Sequence, residues 1–190
     1  MGKINILVIA SGSIGVIHLP QYIMTILSKG LNCKCILTEQ ATNFVSPSAI
    51  SNFVDTFTDL KDYSRQKLRT PHIELGQWAS IIIILPATAN MIGKIANGIA
   101  DNLATTTILS TDAPIYVYPN MAKTMAKKKI VVRNIQIIKE LGYKVFDEYS
   151  TSFSVSKQKT EDSYSLPSIP NFSEQLDELI LHFKGGENNE

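Results

Sequence analysis

Apolar residues fall along this chain in two alternating rhythms. Short runs, "INILVIA" (4–10), "CKCILT" (33–38), "SIIIILP" (80–86), "PIYVYP" (114–119) and "YKVF" (143–146), alternate with segments whose apolar positions recur every three or four residues. The runs predict strands and the segments predict helices. "IIIIL" is apolar on both faces, the pattern of a parallel strand covered by helices on each side. Helical spacing appears in "VIHLPQYIMTILSKG", which ends at Gly30, and in "SPSAISNFVDTF", with Ser46 or Ser48 near its cap and a proline in its first turn. It returns in "HIELGQWA", with Glu74 in the early turns, and in "ANMIGKIANGIADNLATTTIL", with Ile92, Ile95, Ala96 and Ile99 on one face. "KKKIVVRNIQIIKELG" is a further helix, ending at Gly142, and "FSEQLDELILHFKGG" closes the chain with Ser173 as its cap.

Strands alternating with helices predict an α/β fold, a Rossmann-like (flavodoxin-like) parallel sheet with helices on both faces. Residues 1–184 form one expected domain, and no repeat interrupts it. Residues 58–71 are polar and irregular. Residues 148–170, rich in Ser, Thr, Lys and Tyr, predict a long loop or flexible hairpin. Loops of that length are usually functional or disordered. Residues 185–190, "GGENNE", are expected to fray.

The chain has 190 residues, enough for one stable core. Hydrophobic residues make up 44% and charged residues 18%, and the net charge of +1 provides no field for steering nucleic acid or a membrane. The N-terminal apolar run fits a strand better than a signal peptide. No run approaches a membrane span. Cys33 and Cys35 are i, i+2 neighbours on a strand, where a mutual bridge would be strained, so both are expected as reduced, packed thiols in a cytoplasmic protein.

In an open α/β sheet, ligands bind at the carboxyl ends of the strands. Three polar clusters fall there: "SGSIG", "PATAN" and "PNMAK". In the first, Gly12 lets the backbone approach an anion and Ser13 offers a hydroxyl at a helix start, although a plain strand-to-helix turn looks the same. In the second, Ala87 and Ala89 leave room for a flat ligand, while Thr88 and Asn90 supply polar groups. Asn90 as a simple helix cap is the alternative. His72 is either a structural or solvated histidine or a base. No Cys/His set has metal-ligand spacing, and no metal is expected.

These pieces together resemble the homo-oligomeric flavin-containing cysteine decarboxylases. "HIELGQWASIIIILPATANMIGKIANGIADNL" is similar to the family block of a histidine, a strand ending in P-A-S/T-A-N-T, and a helix carrying A-x-G-x-A-D-N-L. "PNMAKTM" aligns with its later P-x-M-N-x-x-M-W motif. Within the family the chain most resembles the lantibiotic peptidyl-cysteine decarboxylases of the epidermin and mersacidin type.

The resemblance implies a flavin, FMN in most members with FAD as the alternative, bound in trimers that can assemble into dodecamers. His72 matches the active-site histidine. Pro86, Ala87, Thr88, Ala89 and Asn90 match the flavin- and substrate-contacting motif. Gly12, Ser13 and Ile14 match the phosphate turn, and Thr38 a further flavin contact, with Gln40 where a small hydroxyl residue is common. Asp101, Asn102 and Thr105 match the segment near the ring. Asn120, Met121, Ala122 and Lys123 match the substrate loop.

The implied reaction acts on a ribosomally made precursor peptide ending in cysteine. A C-terminal cysteine has no electron sink for decarboxylation. Oxidation supplies one: a base takes the thiol proton, hydride leaves Cβ for the flavin, and the thioaldehyde accepts the electrons as CO2 departs, leaving an enethiol. His72 has the residue type for that base, and Asn90 is the expected orienting amide. A lanthionine synthetase is a further expected partner. In the sister branch, phosphopantothenoylcysteine decarboxylase, a cysteine on a mobile flap re-reduces the intermediate. Residues 148–170 contain no cysteine, which favours the oxidative branch and casts this stretch as a substrate clamp, with Phe153 and Tyr164 as apolar contacts. A disordered insertion is the other reading of it.

Two positions depart from the motif. Ala122 replaces the family asparagine beside the substrate carboxylate, and Ala126 replaces the tryptophan. A non-catalytic flavin-binding paralogue or regulatory subunit is therefore a second expectation, and a different small-thiol decarboxylase a third. Lys127 to Lys129 are read either as a solvated helix start or as an attractor for an anionic C-terminus.

Overall fold

A computed structural model describes residues 3–59, 68–147, 150–154 and 158–187. β1 (Asn5–Ala10), β2 (Asn32–Leu37), β3 (Asp55–Thr58), β4 (Ile81–Ala87), β5 (Ile115–Pro119) and β6 (Lys144–Val145) form one sheet. All pairings are parallel, in the order β3-β2-β1-β4-β5-β6. This is the doubly wound order of Rossmann folds. The chain leaves β1 in one direction across the sheet and returns to start β4 on its other side. A crevice therefore opens between the carboxyl ends of these two strands, where ligands bind in this architecture.

Successive residues of the buried strands serve two different cores. Ile6, Val8, Ile81, Ile83, Tyr116 and Tyr118 pack with α1 (Leu19–Ser28) and with Phe172, Leu176 and Leu179 of a C-terminal helix, α9 (Ile169–Glu187). Leu7, Ile9, Ile82, Ile84 and Val117 pack with α4 (Pro71–Trp78), α5 (Ala89–Ala96), α6 (Leu103–Leu109) and α8 (Lys129–Glu140). The remaining helices are short: a 3-10 turn at Ile14–His18, α2 (Glu39–Thr42), α3 (Pro47–Ile50) and α7 (Lys123–Ala126). Outside the sheet, β7 (Ser150–Ser154) and β8 (Lys159–Ser163) form an antiparallel hairpin.

Several sequence-based expectations need correction. "SPSAISNFVDTF" is not one helix. It stops at Ile50, and its last residues enter β3, pairing with β2 from Lys34↔Asp55 to Leu37↔Thr58. Ser46 sits at the N-cap of α3 without a side-chain cap bond. The segment 89–109 is two helices, because Gly98 takes φ +64° and ends α5. Asn102 then starts α6 with a capping box in which Asn102 and Thr105 bond each other's backbone N–H.

Ser173 lies inside α9. The N–H of Phe172 donates to the carbonyl of Ser168 at 2.8 Å, and Ser168 starts the turn. The backbone of Gly185, Gly186 and Glu187 continues α9. Residues 60–67 of the expected irregular segment, residues 148–149 and 155–157 of the expected clamp, and residues 188–190 of the tail lie outside the described residues. Among the described residues, no helix is long and apolar enough to cross a membrane.

Candidate active site

The three polar clusters meet at the carboxyl rim, joined by side chains from small residues. Ser11 follows β1 and is buried. Its hydroxyl donates to the carbonyl of Pro86 at 2.8 Å and accepts from the N–H of Thr88 at 2.9 Å. The first two clusters are thereby latched across the crevice. Thr88 is the N-cap of α5, its Oγ1 accepting from the N–H of Met91 at 3.2 Å. That removes the capping role considered for Asn90. Asn90 is exposed, and its amide has no hydrogen-bond partner among the described residues.

Ser13 caps the 3-10 turn, its hydroxyl accepting from the N–H of Gly15 at 3.3 Å and donating to Oδ1 of Asn120. A hydroxyl has one proton. While this bond stands, the Ser13 proton is committed to Asn120. The backbone N–H groups of Gly12, Ser13 and Ile14 have no partner among the described residues, so the turn's donors are its amides. Ile14 itself is 64% exposed. A Cβ on Gly12 would sit 2.4 Å from Cβ of Gln40, so glycine here lets the start of α2 close on the turn. Thr38 caps that helix, accepting from the N–H of Ala41 at 3.4 Å.

The third cluster is more occupied than expected. The amide of Asn120 accepts from Ser13 and donates to the carbonyl of Tyr164 at 3.1 Å, which ties the first and third clusters to the segment after β8. Met121 is buried, and its N–H donates to the same Tyr164 carbonyl at 3.0 Å. Ala122 is the N-cap of α7 and gives it no side-chain cap. Lys123 opens the helix half-buried, and Ala126 is fully buried in the apolar core. Phe153 pairs with Thr160 through the hairpin backbone; the expectation for its side chain lies outside the described residues.

His72 occupies the first turn of α4, after Pro71. Glu74 holds that turn, its carboxylate accepting the N–H groups of Arg69 and Thr70, each at 2.7 Å. His72 is half-buried and has no hydrogen-bond partner among the described residues. It opens on a cleft of about 460 Å³ lined by Glu39, Asp59, Pro71, Asp101, Asn102, Leu103 and Thr106. Asp101 pairs with Lys94 at 2.7 Å, and the hydrogen bond from that ammonium holds its carboxyl below the usual range. Thr105 is buried, its hydroxyl tied to Asn102 within the cap. Asn102 and Thr105 thus shape this wall by fixing the start of α6.

Sequence reasoning missed Ser11, Glu39 and Asp59. Ser11 lies within a quoted motif, but its partners are 75 and 77 positions away. Asp59 accepts the N–H of Leu103 at 2.5 Å from the end of β3, a strand the apolar pattern did not show. No group of three His, Cys, Asp or Glu among the described residues could hold a metal ion.

A doubly wound sheet with free turn amides and a histidine-bearing cleft at its carboxyl rim defines an α/β ligand-binding class to which many flavoproteins belong. Residues 1–168 match the family model described as Flavoprotein, and the chain belongs to that family, that of the flavin-dependent cysteine decarboxylases. It is 29% identical to epidermin decarboxylase of Staphylococcus epidermidis over 171 residues, covering 88% of this chain and 91% of that protein. It is 39% identical to the coenzyme A biosynthesis bifunctional protein CoaBC of Bacillus subtilis over 145 residues, 73% of this chain but only 34% of that longer protein. Among solved structures, the FMN-dependent cysteine decarboxylase SpaF superposes with a TM-score of 0.71 at 30% identity, covering 75% of this chain and 83% of that one. EpiD complexed with the substrate peptide DSYTC superposes with a TM-score of 0.78 at 28% identity, covering 96% and 98%.

Proposed function

We propose that the protein is an FMN-dependent decarboxylase acting on the C-terminal cysteine of a ribosomally made peptide. The observation that carries this is His72, held on the first turn of α4 without a hydrogen-bond partner among the described residues and opening on the rim cleft. A base with no internal hydrogen bond is available to a substrate thiol. The peptide rather than the coenzyme A substrate is supported by the near full-length likeness to epidermin decarboxylase and by the absence of cysteine from residues 148–170.

The residues present fit FMN. The unpartnered amides of Gly12, Ser13 and Ile14 form a donor set for its phosphate. Pro86, Ala87, Thr88 and Ala89 offer backbone and small side chains to the ring, with Thr38 and the segment of Asp101, Asn102 and Thr105 completing the surroundings. Bound flavin supplies the hydride acceptor that cysteine decarboxylation needs. His72 takes the thiol proton, and the free amide of Asn90 orients the peptide end. Met121, Ala122 and Lys123 border the peptide path, and the β7–β8 hairpin with Phe153 covers it. A homo-oligomer, a trimer by family resemblance, is part of this reading, supported by the exposure of Ile14 and of Ile17 (47%) beside the turn.

The test is to incubate the flavin-loaded protein with peptides ending in cysteine. Loss of CO2 and two hydrogens by mass spectrometry supports the reading, and an unchanged peptide mass with flavin bound sinks it. A second reading, a flavin-binding subunit without turnover, is favoured by the bare N-cap at Ala122. It predicts silence in that assay and co-purification with a relative that retains the P-x-M-N asparagine.

A further inference from the structure

Asn120 is where three distant segments converge. Its Oδ1 takes the only hydroxyl proton of Ser13 in the β1 turn. Its Nδ2 donates to the carbonyl of Tyr164, which follows β8, at 3.1 Å. Its own N–H donates to the carbonyl of Ala87 at the end of β4, at 2.9 Å. The next residue, Met121, adds a backbone bond to Tyr164 at 3.0 Å, and the two residues form an isolated antiparallel bridge. Gly15 is shaped to this contact. A Cβ there would lie 2.9 Å from Oδ1 of Asn120 and 3.0 Å from Cδ1 of Leu166. The amide therefore sits in a slot that only a glycine leaves open, and both of its ends are used.

We propose that Asn120 is a positioning residue that couples the β1 turn to the base of the hairpin at residues 163–166. This rests on the proposed FMN reading, in which the amides of Gly12, Ser13 and Ile14 hold the flavin phosphate. By bonding the hydroxyl of Ser13, Asn120 fixes that side chain toward Gly15 and away from the anion, so the turn presents its backbone amides in one arrangement. The same amide pins Tyr164. An anion that orders the turn thereby orders the hairpin base, and the hairpin base in return stabilises the turn. Linkage makes the two effects equal: whatever factor the flavin adds to hairpin protection, the intact hairpin contact adds to flavin affinity.

The experiment compares the wild type with Asn120→Ala and Gly15→Ala, measuring the FMN dissociation constant by flavin fluorescence and amide exchange of residues 158–166 with and without FMN. In the wild type, FMN is expected to slow exchange in that segment by about fivefold or more, the lower range for coupled sites. In Asn120→Ala, FMN still binds, with affinity weaker by a similar factor, and its effect on hairpin exchange disappears. Gly15→Ala, which pushes the amide out of its slot, gives the same pattern. Equal FMN protection of residues 158–166 in wild type and Asn120→Ala overturns the coupling while leaving the FMN reading intact. A wild type that binds no FMN overturns both.

Discussion

The carbonyl of Ala122 accepts the N–H of Met125 at 2.9 Å, but the side chain of Ala122 ends at Cβ, so α7 starts without a side-chain cap. The backbone of Ala122 is extended, with φ −61° and ψ 148°, the conformation of a capped helix start. Ala122→Asn is expected to raise stability by about 1 kcal/mol, within the usual range for a gained N-cap, as read from urea unfolding. It is also expected to raise kcat/KM on a peptide ending in cysteine by about tenfold, the worth of one hydrogen bond to a charged group.

His72→Asn tests the base separately from the cofactor. The α4 turn is held by Glu74 and not by His72, so the fold and flavin binding survive the change. Turnover is expected to fall by about two decades or more, the contribution of a positioned general base, with the flavin absorbance retained.

Ser11→Ala removes a hydroxyl that donates to the Pro86 carbonyl and accepts the half-buried N–H of Thr88; the carbonyl keeps the backbone N–H of Ser11 at 3.0 Å, so the Thr88 N–H is the group that loses its partner. Leaving one such group unpaired costs about 1 kcal/mol, the low end of the usual range. Urea unfolding is expected to show that loss, and FMN affinity should fall as well, because the latch joins the β1 turn to the "PATAN" turn.

Tyr118→Phe is expected to act in the other direction. Tyr118 is buried between Phe146, stacked at 4.4 Å, and Phe172, and its hydroxyl has no partner among the described residues. Removing an unsatisfied buried hydroxyl relieves a desolvation cost, so stability should stay level or rise by about 1 kcal/mol, again measured by urea unfolding.

The cysteines set a pH dependence. Burial pushes the Cys33 thiol up to about 12 and Cys35 well above its ordinary value, with Cys33 a smaller contribution to the latter. The folded state therefore holds these protons more tightly than the unfolded chain. The resulting stability is complete below the ordinary thiol range near 9 and is lost as pH rises toward the folded values. Urea midpoints should decline above pH 9, and a thiol reagent at pH 8 should leave the fully buried Cys35 unlabelled until the protein unfolds, while the partly buried Cys33 reacts sooner.

The sheet was legible because strands such as "IIIIL" are apolar on both faces, and only burial between two helix layers rewards that pattern. β3 escaped notice because "DTFT" is a four-residue edge strand with one apolar residue, Phe57, and it continues a stretch with helical spacing. The break after α5 was hidden by continuing helical spacing through Ile99. Ile99 proves 45% exposed, and the left-handed turn at Gly98 does the work. At the site, the motifs marked the right rim. The wiring did not show, because Ser11, Ser13 and Asn120 find partners 75 to 107 residues away. The sequence also presents Asn120 and Ala122 as neighbours in one loop, whereas the fold gives one a structural amide and the other an empty cap.

The proposed reaction is the oxidative removal of CO2 from a peptide's C-terminal cysteine by the flavin-loaded protein. The most direct measurement is the mass of a short cysteine-terminated peptide after incubation with that protein, alongside phosphopantothenoylcysteine as a competing substrate. A peptide product lighter by CO2 and two hydrogens is expected, formed by the wild type and not by His72→Asn. An unchanged peptide, with phosphopantothenoylcysteine decarboxylated in the same preparation, would contradict it.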